Sequence, residues 1–456
     1  MSEPQRPGRT RLIVLVALLA VLAVSAALLE VRYGWISAPF KGPPNVVIVV
    51  SDTLRRDHLG LYGYSRDTSA TLDALAEDAL VFERAYTQSP STKPSIASIM
   101  TSRYPTQHRA IYNADKLSDA HVTIAEIMRA AGFITAGFVE NPTLDPVFGL
   151  SQGFDTWTLD ARRHSGEDTL ARDFDAKIEA WIEAHQDTPF LLYVHYIDPH
   201  SPYNAPEGYR GRFNTSGGDA PHEQLNVGTR IKEDPQVLID RYDEEIPYMA
   251  DRLSALVGYL KKHTDWDNTV FLFTTDHGEG FGEHHGYFHH SYGVYGELTN
   301  APMVVRAPGR LSPGRSQVPV QHVDVLPTVL DLAGVEVKDH RAEGESVARV
   351  VERGGPPRFI MTEHLRLEWG IAQRGGILDR WKLVHHIEAD TFALYDIAAD
   401  PGETKDLARE QPERVKALKA ALSDRLRGLK DIVDPTRAED VDEEMQEALR
   451  NLGYIE

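Results

Sequence analysis

The amino-acid sequence predicts an α/β fold in which a doubly wound, mostly parallel sheet carries helices on both faces. Three observations predict it. Five short, mainly apolar runs, at 45–51, 133–139, 190–196, 270–275 and 303–306, are bounded by Pro, Gly or polar residues, which suits strands buried on both sides. Helix-period patterns at 70–79, 123–131, 171–184 and 237–262 lie between them, and alternating strands and helices are the signature of a parallel sheet with crossover helices. Third, Asp52, Asp198 and Asp276 stand at or just past strand ends, where such sheets collect their functional residues.

The chain opens with a segment outside this fold. Arg6, Arg9 and Arg11 precede an apolar run from Leu12 to Leu29, broken only by Ser25. Roughly 18 residues at ~1.5 Å each nearly span the hydrocarbon core of a bilayer. Arginines before the run, with Tyr33 and Trp35 after it, predict a cytoplasmic tail at 1–11 and a transmembrane anchor at 12–30. The rest of a single-pass cell-membrane protein then lies on the extracytoplasmic side. A cleaved signal peptide, with Ser25, Ala26 and Ala27 near the cut, is the alternative and gives a secreted or periplasmic protein. Residues 31–44, ending Lys-Gly-Pro-Pro, read as a short stiff linker. The predicted catalytic domain then runs over 45–340. Within it, 203–235 is rich in Gly, Pro and Asn with little periodicity, a long loop of the kind that forms lids. The composition changes near 340. Strand patterns at 381–387 and 391–395, then an amphipathic helix at 412–429, predict a smaller C-terminal α+β subdomain over 341–456.

Composition excludes some function classes. With 456 residues, 42% of them hydrophobic, the chain can bury a large core. A formal net charge of -20 repels polyanions, so nucleic acid is not an expected partner. An anionic substrate stays open, because a bound divalent cation inverts the field locally. No cysteine is present, which removes disulfides, a thiolate nucleophile and thiolate metal ligands.

Four segments can carry chemistry. Asp52 directly follows the first strand, and hard cations need such oxygen donors; capping of the next turn is the plainer reading. The run Asp276 to His290 holds five His, three acidic residues and four Gly. Adjacent Asp276 and His277 can reach one cation only from irregular backbone, which the glycines permit. In Ser91-Thr92-Lys93-Pro94-Ser95, Pro94 fits a first helical turn and sets Thr92 just before a helix N-terminus. That position favours anions, and a hydroxyl beside a divalent cation can act as a nucleophile; a plain N-cap is the alternative. In His195-Tyr196-Ile197-Asp198-Pro199-His200, the residues Asp198 and His200 can hold substrate or a second cation, whereas His195 reads as structural.

These four segments, in this order, resemble the sulfatase family of the alkaline phosphatase superfamily, from about 45 to 430. The stretches Asp52-Thr53-Leu54-Arg55-Arg56-Asp57-His58 and His195 to Tyr203 carry the resemblance, with Trp381-Lys382-Leu383, Leu394-Tyr395-Asp396 and Asp400-Pro401-Gly402-Glu403 in the tail. It implies an alkaline-phosphatase-like fold, with Asp52, Thr92, Asp276 and His277 as metal ligands and Thr92 at the nucleophile position. It further implies His200 as a ligand of the substrate oxyanion. His290, or His289 after a one-residue gap, would contact the leaving group or a second metal. Lys93 and Asp198 are the remaining substrate-binding candidates. Three departures stand out. Thr92 replaces the Cys or Ser that sulfatases oxidise to formylglycine, Ile96 replaces the Arg of that motif, and Thr53 replaces the second Asp.

The expected activity is therefore metal-dependent hydrolysis or transfer of phosphate esters, diester or monoester, through a Thr nucleophile. A general acid is expected in His289 or His290. The expected cofactor is a divalent metal, Zn or Mn favoured with Ca possible, as one ion with a second open. An anionic ester, lipid- or glycan-linked, is the expected partner. Sulfate-ester hydrolysis without formylglycine and a catalytically degenerate, metal-bound binding ectodomain are the alternatives.

Overall fold

In the computed structural model, the described residues are 42–161, 168–214, 235–284, 286–290, 292–337, 341–354, 357–366, 371–438 and 443–452. The predicted anchor at 12–30 and most of the loop at 203–235 lie outside them. Among the described residues, no helix is long and apolar enough to cross a membrane. Residues from Pro43 to Glu456 belong to one compact unit.

The central sheet contains β1 (Asn45–Ser51), β2 (Leu80–Phe82), β3 (Ile134–Val139), β4 (Thr156–Leu159), β5 (Phe190–Tyr196), β6 (Thr269–Thr275), β7 (Met303–Arg306) and β8 (Gly314–Ser316). Their order across the sheet is β8-β2-β7-β6-β1-β5-β3-β4. All neighbours pair in parallel except that β7 runs antiparallel to both β6 and β2, so the sheet is mixed. The predicted strands agree with β1, β5 and β7 and differ by one residue at the start of β3 and β6. The short strands β2, β4 and β8 carry too few residues to show a period.

Burial on both faces explains why β1 reads as an unbroken Val/Ile run. Val46, Ile48 and Val50 pack into one core layer, while Val47 and Val49 pack into the other. The first layer is covered by α2 (Thr92–Thr101), α3 (Ile124–Ala130) and α6 (Val325–Ala333). The second is covered by α1 (Ala70–Leu75), α4 (Asp168–His185) and α5 (Pro235–His263). Helix α3 starts where Thr123 accepts from the Glu126 amide and Glu126 answers to the Thr123 amide, a reciprocal cap.

A second, antiparallel sheet follows in the order β9 (Ile360–His364), β10 (Gln373–Leu378), β11 (Trp381–His386), β12 (Thr391–Asp396). Helix α7 (Pro412–Gly428) buries Leu418 and Leu422, one turn apart, against it. The sequence patterns reveal β11 and β12 but not β10, whose centre is Gly375-Gly376. A side chain at Gly375 would crowd Thr362, so packing against β9 requires glycine there.

The register fixes where the site forms. Ser51 at the end of β1 lies opposite Tyr196 of β5 and Thr275 of β6. The next residues, Asp52, Ile197 and Asp276, therefore leave the sheet side by side at its carboxyl edge.

Candidate active site

Asp52, Asp276 and His277 are fully buried, and their ligand atoms lie within 4.8 Å of one another. Each is held by its own local contacts. Asn141 donates to Asp52 Oδ2 at 2.6 Å, and the amides of Thr53 and His277 donate to Asp276 Oδ1 at 3.1 and 2.8 Å. The other two carboxylate oxygens, Asp52 Oδ1 and Asp276 Oδ2, have no hydrogen-bond partner. Burial and the neighbouring Asp276 carboxylate push Asp52 well above the usual carboxylate range. Two buried carboxylates with an orphaned oxygen each are the donor set a divalent cation needs, so these residues fit one.

His277 completes that set. Its Nδ1 lies 2.9 Å from the Gly278 carbonyl and therefore carries the proton, which leaves Nε2 as the acceptor. Nε2 lies 3.4 Å from Asp276 Oδ2 and 4.0 Å from Asp52 Oδ1. The loop bends tightly here. A side chain at Gly278 would collide with the Glu297 carbonyl.

Thr92 meets this group from the other side. Ser91 occupies the N-cap position of α2 without a side-chain capping bond, and Thr92 is the helix's first residue rather than the one before it. Its Oγ1 lies 3.2 Å from His277 Nε2 and donates to it. Ser95, one turn on, ties the helix to the Asp276 carbonyl at 2.6 Å. The helix end thus directs its partial positive charge to Thr92 Oγ1.

A second cluster adjoins the first. His200, His289 and His290 bring their ligand nitrogens within 4.8 Å of one another, all buried. The ring of His290 lies 4.5 Å from that of His277. Burial, then the neighbouring imidazoles, lowers His289 and His290 well below the ordinary histidine value, and burial takes His200 to about 4.

Two predicted substrate ligands are placed elsewhere. Lys93 directs Nζ to the carbonyls of Tyr112, Asn113 and Asp115, at 3.3, 2.6 and 3.0 Å, and over the Phe148 ring. Burial and the nearby Arg366 lower it to about 7. One step along a helix turns a side chain by ~100°, so Lys93 cannot share the direction of Thr92. Asp198 lies 3.3 Å from Arg252 Nη1, in a buried network with Glu140 and Asp175.

Three residues at the site carried no functional signal in the sequence. Asn141 holds Asp52. His195, read as structural, sets Nε2 3.9 Å from Asp52 Oδ2 and 3.8 Å from Asp276 Oδ2, and neither ring nitrogen is hydrogen-bonded. Arg366, just past β9, bonds Asn113 at 2.6 Å, and its charge reaches both Lys93 and His290.

A carboxylate–imidazole–hydroxyl centre at the carboxyl edge of a doubly wound sheet defines an ester hydrolase of alkaline-phosphatase-like architecture. The family model described as Sulfatase matches residues 44–335, and that for the C-terminal part of N-sulphoglucosamine sulphohydrolase matches 282–432. The chain belongs to the sulfatase family. A choline-sulfatase of Rhizobium meliloti is 26% identical, the match covering 80% of this chain and 83% of that protein. An N-acetylglucosamine-6-O-sulfatase of Bacteroides thetaiotaomicron is 23% identical over 87% of this chain and 88% of its own. Among solved structures, the phosphonate monoester hydrolase of Agrobacterium radiobacter superposes with a TM-score of 0.72 at 20% identity, covering 87% of this chain and all of its own. The chain is accordingly an ester hydrolase of that family.

Proposed function

We propose that this sulfatase-family hydrolase acts on phosphate esters through Thr92. The observation that carries the reading is Thr92 Oγ1 at the N-terminus of α2, 3.2 Å from His277 Nε2 and beside the Asp52–Asp276 pair. Asp52, Asp276 and His277 would hold a divalent cation, Zn or Mn favoured by the imidazole, which when bound would supply Lewis-acid activation of the hydroxyl and charge to offset the ester oxygens. Thr92 Oγ attacks phosphorus in line. The Oγ–H proton is lost to solvent as the Oγ–P bond forms, the bond to the leaving alcohol breaks, and that oxygen takes up a proton from solvent. Water, or an acceptor alcohol, then cleaves the phosphothreonine. Lys93 is held by carbonyls, so we assign Arg366, whose charge reaches His290, to the substrate anion.

Sulfate-ester hydrolysis is the second reading. It is favoured by the relatives' names, which include an N-acetylglucosamine-6-O-sulfatase and a Delta 4,5-hexuronate-2-O-sulfatase. Threonine cannot become formylglycine, so this reading also routes through the Thr92 hydroxyl. It extends to a glycan-linked anionic ester as substrate. From Arg6, Arg9, Arg11 and the apolar run at 12–29 we place the catalytic unit outside the cytoplasm. Protease accessibility on intact cells checks that placement. Chromogenic phosphodiester, phosphomonoester and sulfate-ester substrates, each with a metal series, rank the two chemistries. Peptide mass spectrometry after brief substrate exposure is expected to find phosphate on Thr92; sulfate on Thr92 would favour the second reading.

A further inference from the structure

His322 sits in the short turn that enters α6, and it is fully buried. Its Nδ1 lies 3.2 Å from Ser95 Oγ on α2, and its Nε2 lies 3.1 Å from Thr274 Oγ1 on β6. The ring thus spans the gap between the helix that starts at Thr92 and the strand that leads to Asp276. We infer that His322 is a positioning residue. It relays a one-way hydrogen-bond chain, from Thr274 through His322 and Ser95 to the Asp276 carbonyl, that fixes Thr92 against the centre.

Proton counting sets the direction. Ser95 Oγ lies 2.6 Å from the Asp276 carbonyl, and Thr274 Oγ1 lies 2.8 Å from the Pro302 carbonyl. Each hydroxyl has a single proton to give. Burial lowers His322 to about 3, so its ring is neutral and also has a single N–H. With both hydroxyls donating to carbonyls, one ring nitrogen would face an oxygen with no proton between them. An unpartnered group in a core is costly, so one hydroxyl turns to the ring. Keeping the shortest contact leaves Ser95 on the Asp276 carbonyl. Nδ1 then donates to Ser95, and Thr274 donates to Nε2. Every bond in the chain points the same way, and bonds so aligned strengthen one another.

The backbone around His322 is held on both sides. The Gln321 amide donates to Asp324 Oδ2 at 2.9 Å, and Arg358 bonds both Asp324 oxygens at 2.7 and 2.8 Å. The Val323 amide donates to Gln88 Oε1 at 3.0 Å. The ring is therefore a fixed post, and Ser95 is what it fixes. Ser95 and Thr92 lie one turn apart on one face of α2. The carbonyl that ends the chain belongs to the peptide joining Asp276 to His277. A shift there changes the 3.2 Å separation of Thr92 Oγ1 from His277 Nε2. The kinetic consequence rests on the reading of Thr92 as nucleophile; the direction of the chain does not.

The test is steady-state kinetics on the full chain, with the chromogenic ester that wild type turns over, saturating divalent metal and a thermal melt of each variant. His322→Leu is expected to lower kcat about 10²-fold with KM within about threefold, the effect of misplacing a reacting group by ~1 Å. His322→Gln, whose amide can donate to Ser95 and accept from Thr274, should recover kcat to within about tenfold of wild type. Ser95→Ala should match His322→Leu, and the double variant should be no worse than either. Nitrogen NMR with isotope-labelled histidine should show the His322 ring, identified by its loss in His322→Gln, protonated on Nδ1. A folded His322→Leu variant that keeps kcat within about threefold overturns the inference, as do losses that multiply in the double variant. A proton on Nε2, or on both nitrogens, overturns it too. Thr274→Val keeps the side-chain shape and probes the far end of the chain should the His322 variants not fold. A fall in kcat of about tenfold or more supports the relay, and an unchanged kcat overturns it. If Thr92→Ala keeps its activity while His322 carries its proton on Nδ1, the nucleophile reading is the one that fails.

Discussion

Replacing Thr92 by alanine removes the hydroxyl that the N-terminus of α2 sets beside the Asp52–Asp276–His277 centre. Thr92 is 1% exposed, so the substitution deletes a buried hydrogen bond to His277 and a methyl group. Together these cost about 1–2 kcal/mol, a small part of the stability of a domain this size. The effect on catalysis is of another order. Losing a covalent nucleophile removes the whole two-step route, and ~10³-fold or more in kcat/KM is expected, ~4 kcal/mol of transition-state stabilisation. Thr92→Ser retains Oγ and loses only the methyl that stiffens the rotamer, so its loss should stay within about tenfold. The assay is steady-state hydrolysis of a p-nitrophenyl phosphodiester and sulfate ester, with circular dichroism melting on the same samples. A folded Thr92→Ala variant that keeps kcat/KM within about tenfold of wild type would refute the nucleophile assignment.

Three further outcomes are expected. Asn141→Ala frees Asp52 Oδ2 and should weaken divalent-ion affinity by ~10–100-fold in a calorimetric titration, the usual effect of removing an outer contact on a ligand. Arg252→Ala leaves Glu140, Asp175 and Asp198 without their shared buried cation, and urea unfolding should show a loss of about 3–5 kcal/mol. His284 is raised despite burial, because Glu297 sits 2.7 Å from Nδ1. A raised histidine contributes stability that is full below the unfolded value of about 6.5 and is lost as pH rises through the higher folded value. The melting temperature of wild type should therefore fall across that window more than that of His284→Asn.

Much of the candidate centre was legible because it is local. Asp52 and Asp276 each follow an apolar strand directly, and His277 is adjacent to Asp276, so an unbroken apolar run and its terminus locate all three. Thr92 was legible through Pro94, which marks a helix entry. The rest depends on contacts that no local pattern encodes. His200 meets His289 across a sequence separation of about ninety residues, and the rings converge only because both loops leave the same sheet edge. Lys93 looked like a substrate ligand by adjacency to Thr92, yet helix rotation gives it to three carbonyls. Asp198 stands at a strand end like the candidate centre residues, but an arginine on the covering helix claims it. Strand β10 was hidden because its two glycines serve packing rather than strand propensity.

The pairing of β1 with β6 has a bearing on how the enzyme matures. Its parallel register joins segments that lie on either side of most of the catalytic domain, and the Thr53 amide that holds Asp276 is 223 residues away. Contacts of such separation form late, because loop-closure entropy must be met before they stabilise anything. The emerging half-chain carries Asp52 and Thr92 but neither Asp276 nor His277. It holds only part of the proposed ion site, so on that reading metal acquisition follows completion of the chain and acts as the final lock on the sheet.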